Sequence, residues 1–365
     1  YANMAFDLHK TDEAMEYYNK SINAANKDVV KTALANIKKG YAYSFLNQYD
    51  EAMWMSQIAL HDLDSLVQST GDQDLYLEER CFAQRTIASL FQTLNDYNES
   101  IRNYSYSEQG YRVLFHRDST TYTRSYADVN LLYARVLDLN KETEEAEMRM
   151  KESIRLYTKL YNKSPERNSA ILACAHCWLG ELYRNQRKFK ESEEHLKKSI
   201  ELYESACKFN PSSYTGFIAE SWVNMGKLHL WTEEFDKAET ELFKAYEIYN
   251  TLQESSPEAY KPSLAKLYYH IGSLYFFQKN YEKAAKYDSL SVKEYEILYK
   301  QSKLAYYIEL GTSYGYLGNC YFEMQMYLEA EEYYEKVLEV NPTSGYKDRL
   351  EQTRTIIKRK KLRKP

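Results

Sequence analysis

The sequence predicts an all-α protein, a solenoid superhelix of about eight antiparallel helix pairs with a C-terminal capping helix. Three observations carry this. The first is a ruler of 46 residues, which separates Gly180, Gly226, Gly272 and Gly318, separates Pro165, Pro211 and Pro257, and separates Tyr111, Tyr157, Tyr203, Tyr249 and Tyr295. A fixed period of this size marks supersecondary units stacked one on the next. The second is helical spacing inside the period: Leu264, Leu267, Ile271, Leu274 and Tyr275 fall on one face of a helix. The third is the composition, with only 11 glycines and 6 prolines in 365 residues and 28% charged residues, which suits a helical chain with a solvated outer face.

The stretch from Ser256 to Ser302 shows how one unit is built. Ser256 stands at a helix N-cap and Pro257 at the first helical position, where its missing N–H costs nothing. Lys279 and Asn280 break the apolar pattern as a short polar turn. A second helix follows through Tyr281, Ala284, Ala285, Leu290, Val292 and Ile297. Ser164-Pro165 and Asn210-Pro211 open equivalent units.

In chain order, each unit carries a small residue on its first helix and another twelve residues on: Ala2/Ala14, Gly40/Ala52, Ala88/Ser100, Ala134/Ala146, Gly180/Ser192, Gly226/Ala238, Gly272/Ala284 and Gly318/Ala330. A mid-helix glycine costs about 1 kcal/mol relative to alanine, a cost that close approach of two helices explains. An aromatic stands three residues before the second member, at Tyr49, Tyr97, Phe189, Phe235, Tyr281 and Tyr327, and is expected to wedge the corner between the helices. The array fills residues 1–342. Residues 343–365 read as a capping helix, with Tyr346, Leu350 and Ile357 as its apolar stripe, running into the basic tail Lys358–Lys364.

Trp178-Leu179-Gly180, Tyr183 and Phe189-Lys190-Glu191-Ser192 together resemble the tetratricopeptide repeat. So do Gly40, Tyr43 and Tyr49-Asp50-Glu51-Ala52, and Gly318, Tyr321, Ala330 and Asn341-Pro342. The usual unit of that family is 34 residues. Twelve further residues lengthen both helices to about 20 residues, by roughly 18 Å of helix in total at 1.5 Å per residue. Long-period variants, kinesin-light-chain-like repeats among them, belong to the same family.

The resemblance implies a surface that binds peptides or extended protein segments on a concave face lined by the first helices. By register that face holds Tyr41, Phe45, Arg85, Arg135, Glu181, Arg184, Lys227, Trp231, Tyr269, Ser273, Phe276, Asn319 and Phe322. Aromatic and arginine side chains are enriched at interface hot spots. Arg184, Lys227, Trp231, Tyr269 and Phe276, in the fifth to seventh units, favour a segment with an apolar residue near a carboxylate. Chaperone-binding members use a carboxylate clamp of lysine, asparagine and arginine. The matching positions here are Cys177, Glu181, Asn224, Lys266 and His270. Only Asn224 and Lys266 fit, and Glu181 would repel a terminal carboxylate, so chaperone tails are not the expected partner.

The rest of the sequence excludes other classes. The net charge is −5, and the last eight residues carry +6 of it, which leaves −11 on the body. An acidic body is a poor nucleic-acid ligand. The tail is read as the end of the capping helix, its cations suited to a helix C-terminus. No apolar run of 18 residues gives a membrane span, and no signal peptide is present. The chain begins at Tyr1 inside what reads as a first repeat, which leaves room for a leader or another domain before it. Five cysteines in a long helical chain do not make a disulfide framework, which points to a reducing, cytoplasmic setting. Cys174-Ala-His-Cys177 lacks the second pair a zinc site needs, and the other histidines are scattered. No phosphate-binding, hydrolase or metalloprotease signature occurs, and Glu144-Glu145 and Glu331-Glu332 read as solvated helix faces. No catalytic group, metal or cofactor is expected. The function expected is a non-catalytic scaffold or adaptor for a protein or peptide partner. The alternative is a peptide-sensing regulatory module of a larger signalling protein. The oligomeric state stays open.

Overall fold

The computed structural model describes residues 28–45 and 48–362; the pair Ala2/Ala14 lies outside them. The described residues form fifteen helices and no strand, an all-α solenoid of helix pairs. They fall into two compact units, up to residue 213 and from residue 214. In the first, α1 (Val29–Phe45) pairs with α2 (Tyr49–Thr70), and α3 (Leu77–Thr93) with α4 (Tyr97–Arg117). The pairs α5 (Ser119–Leu139) with α6 (Thr143–Lys163) and α7 (Pro165–Asn185) with α8 (Phe189–Cys207) follow. In the second, α9 (Pro211–Trp231) pairs with α10 (Phe235–Ser255), α11 (Pro257–Phe277) with α12 (Tyr281–Gln301), and α13 (Lys303–Glu323) with α14 (Tyr327–Val340). The terminal helix α15 (Lys347–Leu362) closes it.

The rulers in the sequence are packing rulers. All five tyrosines of the series 111 to 295 are buried. The small residues at the second position, Ser100, Ala146, Ser192, Ala238, Ala284 and Ala330, are fully buried. Ser192 Oγ donates to the carbonyl of Gly180 at 2.8 Å, and Ser100 Oγ to that of Ala88 at 2.7 Å. The tightest neighbour of each glycine lies one turn further on. A Cβ at Gly180 would sit 2.8 Å from Leu196 Cγ, and one at Gly226 2.7 Å from Leu242 Cγ. Close approach is therefore required at both.

The turn inside each pair is also periodic. Asn95, Lys141, Arg187, Glu233, Lys279 and Gln325 all take the left-handed conformation, with φ between 59° and 70°. The backbone N–H three residues past the helix closes back onto it, as Lys188 does on the Tyr183 carbonyl at 2.8 Å and Glu142 on Leu137 at 2.9 Å. This satisfies carbonyls that the helix end would otherwise leave open. The wedge follows: Tyr281 meets Phe276 edge-on with ring centroids 5.4 Å apart, and Tyr327 meets Phe322 likewise at 5.4 Å.

The N-caps differ in part from expectation. Ser164 and Ser256 occupy the cap position, but neither side chain caps. At Ser164 the N–H of Arg167 is taken by the serine's own backbone carbonyl instead, at 3.3 Å. Asp118 does cap, accepting from Thr120 and Thr121.

Helix α15 docks through Leu350 and Thr353, both buried. Tyr346 just before it stacks on Tyr334 at 5.7 Å and lies over Gly315, where no side chain would fit. Arg354 pairs with Glu331 at 2.8 Å and with Glu335. The helix continues through Lys358–Leu362, and Lys360 Nζ sits 4.3 Å from the Tyr327 ring. Residues 363–365 of the basic tail lie outside the described residues.

Candidate functional site

In the second unit the first helices α9, α11 and α13 stand side by side in register. Positions 220, 266 and 312 are equivalent, as are 224 and 270, and 263 and 309. Residues at these levels, with Tyr249 and Tyr295 from the second helices behind, line a pocket of about 380 Å³, within the range of ligand-binding sites. Its polar side chains are Glu220 and Asn224 on α9, Ser263, Lys266 and His270 on α11, and Glu309, Thr312 and Ser313 on α13. Pro262, inside α11, is part of the wall.

The charges are placed unevenly. Lys266, Glu220 and Glu309 are exposed to the pocket mouth, and none has an ion-pair partner among the described residues. Asn224 is buried and accepts from Lys227 Nζ at 3.2 Å. Tyr295 is buried against Tyr306, with centroids 6.3 Å apart. Burial, and then the nearby Glu309 carboxylate, push its hydroxyl pKa well above the ordinary value. Tyr269 meets Tyr316 edge-on at 4.8 Å, and burial raises its pKa in the same direction.

Of the surface residues expected from sequence, Tyr269 alone lines this pocket. In the second unit Lys227 is spent on Asn224. Ser273 is buried, with its hydroxyl on the Tyr269 carbonyl at 2.9 Å. Phe276 packs on Tyr281, Phe277 and Tyr316. Asn319 accepts from the Tyr334 hydroxyl at 2.9 Å, and Phe322 packs on Tyr327 beneath the Arg349 guanidinium. Trp231 ends α9 and is 53% exposed, but it stands apart from the pocket.

In the first unit the expected residues meet one another. Tyr41 packs on Phe82 at 6.0 Å; the side chain of Phe45 lies outside the described residues. Arg85 covers Phe82 and pairs with Asp128 at 3.6 Å, and Asp128 also accepts from the Tyr157 hydroxyl. Arg135 pairs with Glu181 at 3.2 Å and Asp138 at 3.6 Å, with its guanidinium over Trp178. Arg184 is 6% exposed and donates to Asn185; burial lowers its pKa. Arg85, Arg135 and Glu181 are thus committed to ion pairs, whereas Arg184 keeps its Nε and Nη1 buried without a hydrogen-bond partner.

The expected residues Lys227 and Trp231 stand seven positions beyond the pocket residues Glu220 and Asn224 on α9, so the two sets mark different levels of the first helices. Asn224, Lys266 and His270, weighed as clamp positions, all line the pocket. A second contact escaped because it crosses a hairpin. His176 and His195 bring their Nδ1 atoms to 2.9 Å, and burial, with His195 beside it, pushes His176 down to about 3. Cys174 and Cys177 lie on α7, half-buried and buried. Among the described residues no three metal-ligating side chains converge, and no helix is long and apolar enough to cross a membrane.

Tetratricopeptide-repeat family profiles match residues 179–211, 265–287 and 312–344. No curated relative matches the chain. Among solved structures, the apo quorum sensor NprR from B. thuringiensis is similar with a TM-score of 0.62 and 17% identity, over 91% of this chain and 83% of that one. Aspartyl phosphate phosphatase F from Bacillus subtilis gives 0.59 and 14%, over 94% and 86%. Apo RapI gives 0.58 and 15%, over 84% and 96%. At these identities the likeness is one of fold.

Proposed function

We propose that this tetratricopeptide-repeat chain is a non-catalytic scaffold that holds a peptide or protein segment against the first helices of its second unit. The observation that carries the reading is the pocket itself. Three successive first helices supply its walls, and its ammonium and both carboxylates have no ion-pair partner among the described residues. A solvated charge at a pocket mouth is available to a ligand at little desolvation cost, whereas the ion pairs of the first unit are already committed to one another. Tyrosine walls add rigid contact area with polar tips, the composition favoured where peptides are held.

A second reading has support of its own. The resemblance in fold to a quorum sensor fits a module that senses a short peptide and passes the change to an effector. The likeness to a phosphatase is one of fold. The buried thiols favour no covalent chemistry, since burial pushes Cys81 up to about 12 and raises Cys320 as well, away from the thiolate that acts as nucleophile.

The test is capture from source lysate on immobilised protein followed by mass spectrometry. The wild type is run beside a Glu220→Ala, Lys266→Ala, Thr312→Ala variant whose circular dichroism matches it. The expected result is a partner recovered by wild type and lost by the variant. Equal recovery by both would remove the first-helix face as the binding surface. A folded protein partner supports the scaffold and a short peptide the sensor.

A further inference from the structure

One end of the pocket differs from the other. Toward the start of the first helices it is closed by Tyr306, Tyr295 and Glu309, while Glu220 on α9 stands at the level of Lys266. The ring centroids of Tyr295 and Tyr306 are 6.3 Å apart, tilted by 43°, so the two rings form a corner. Glu309 lies close enough to perturb the Tyr295 hydroxyl. The other end holds Asn224 and His270, with Lys266 between the two ends. The lining thus carries two carboxylates without ion-pair partners against one ammonium, in a chain of net charge −5.

We infer that the Tyr306–Tyr295–Glu309 corner is a cation subsite, and that the pocket's occupant is a peptide segment that places a lysine or arginine side chain there. The inference rests on the reading of this pocket as the peptide site and adds the chemistry of what it takes. Aromatic faces attract a cation through their quadrupole, most strongly where water is excluded. A carboxylate beside them supplies the charge-assisted hydrogen bond that fixes its position. Lys266, further along the pocket, suits a carboxylate or a backbone carbonyl of the same segment. It also disfavours a second cation, so one basic side chain is accepted and a run of them is not. The sequence alone favoured a segment with an acidic group. Glu309, with no ion-pair partner among the described residues, reverses that preference at this end.

The experiment uses two pools of fluorescein-labelled hexapeptides, acetylated and amidated. Each member of one pool carries a single Lys or Arg among apolar residues, and the other pool carries Asp or Glu instead. Fluorescence polarisation compares wild type with Glu309→Gln and Tyr306→Leu, all checked for helicity. The expected result is a preference of about tenfold for the basic pool, the scale of one cation–aromatic contact with its carboxylate. It should shrink to less than about threefold in Glu309→Gln and weaken as salt rises. Equal or tighter binding of the acidic pool, or a preference untouched by Glu309→Gln, overturns the cation subsite while leaving a peptide site in place. Failure of both pools to bind overturns the subsite and the peptide reading together.

Discussion

The two units differ in how arginine meets their carboxylates. In the first, Asp128 faces Arg85, Asp138 and Glu181 share Arg135, and Glu108 lies near Arg149. In the second, Glu220 and Glu309 have no cation, and Asp288, fully buried on α12, has only the Cys320 thiol at 3.3 Å on one oxygen and nothing on the other. The sequence contains the cause. No arginine occurs between Arg187 and Arg349. Arginine's planar, weakly hydrated fork is the side chain that can follow a carboxylate into a helix interface. Lysine keeps its head in water; in the second unit it pairs with acids within its own helix, as Lys261 does with Glu258 and Lys336 with Glu332, and leaves Asp288, Glu220 and Glu309 without a cation among the described residues. The same repeat geometry therefore carries arginine-paired carboxylates in one unit and cation-free carboxylates at a pocket in the other.

Asp288 is the sharpest expression of that difference. Its place opposite Gly272 is filled by Leu196 opposite Gly180 and by Leu242 opposite Gly226. Burial pushes its carboxyl up to about 8 from 3.8. The groups that face it are Cys320, Tyr269 and Tyr346, all uncharged acids. The folded protein thus holds a proton that the unfolded chain releases near 3.8. Its contribution to stability is full below about pH 4, falls as pH rises toward 8 and is flat beyond. The total is roughly 6 kcal/mol at about 1.4 kcal/mol per unit. Asp288→Leu should therefore melt higher than wild type at pH 8, by an amount that shrinks as the pH is lowered to 4. Melts across that range check it, and parallel curves would show that Asp288 ionises without cost. The neutral histidine pair in the first unit titrates in both proteins and drops out of the difference.

Gly226→Leu and Gly180→Leu ask whether the units share their packing once charge is set aside. Each glycine faces a leucine at nearly the same distance. Each substitution should cost about 1–3 kcal/mol by overpacking, read from denaturant midpoints at constant m-value. Similar losses support one architecture with two charge patterns. A silent Gly226→Leu would show that the second unit's helix pairs are loose, and the contrast between the units would then lie in packing.

The parts legible in the sequence are those the packing repeats. Tyr157, Gly226 and Ala238 recur because every unit must seat the same helices, and a period of 46 is the trace of that demand. Glu220, Lys266 and Thr312 share the period too, but nothing in their identities repeats, so register alone could not single them out. An offset of seven residues along a helix keeps nearly the same face and moves the level by about 10 Å. Arg135 and Glu181 looked like surface charges because a salt bridge between neighbouring first helices is 46 residues long in sequence. His176 and His195 were invisible for a related reason, since a hairpin brings them together across nineteen positions.

Glu181→Gln sets the arginine-paired carboxylates against the cation-free ones directly. In the first unit it leaves Arg135 with Asp138 as its remaining acid. Both partners of the lost pair are mostly buried, so a loss of about 1–2 kcal/mol is expected, below the cost of stripping a buried charge of every partner. Glu309→Gln in the second unit, on an exposed side chain with no partner, should leave the melting temperature within experimental error. A measurable loss at Glu309 would mean that its charge is structural, and the pocket would then be less available to a ligand than its geometry shows.

The smallest effect tests what the units share. Lys141 turns the α5–α6 corner and Glu233 the α9–α10 corner, with φ of 70° and 59°. Neither is a glycine, although a left-handed residue with a side chain costs roughly 1–2 kcal/mol relative to its ordinary conformation. Replacing either by glycine removes that cost but adds unfolded-state entropy, worth up to about 1 kcal/mol. The net expectation for Lys141→Gly and for Glu233→Gly is a gain of a few tenths to about 1 kcal/mol, equal in the two units because the turn is the same hydrogen-bonded closure in both. Paired denaturant titrations resolve a difference of that size. If Glu233→Gly loses stability while Lys141→Gly gains, the second unit's turn depends on its side chain, and the units differ in backbone as well as in charge.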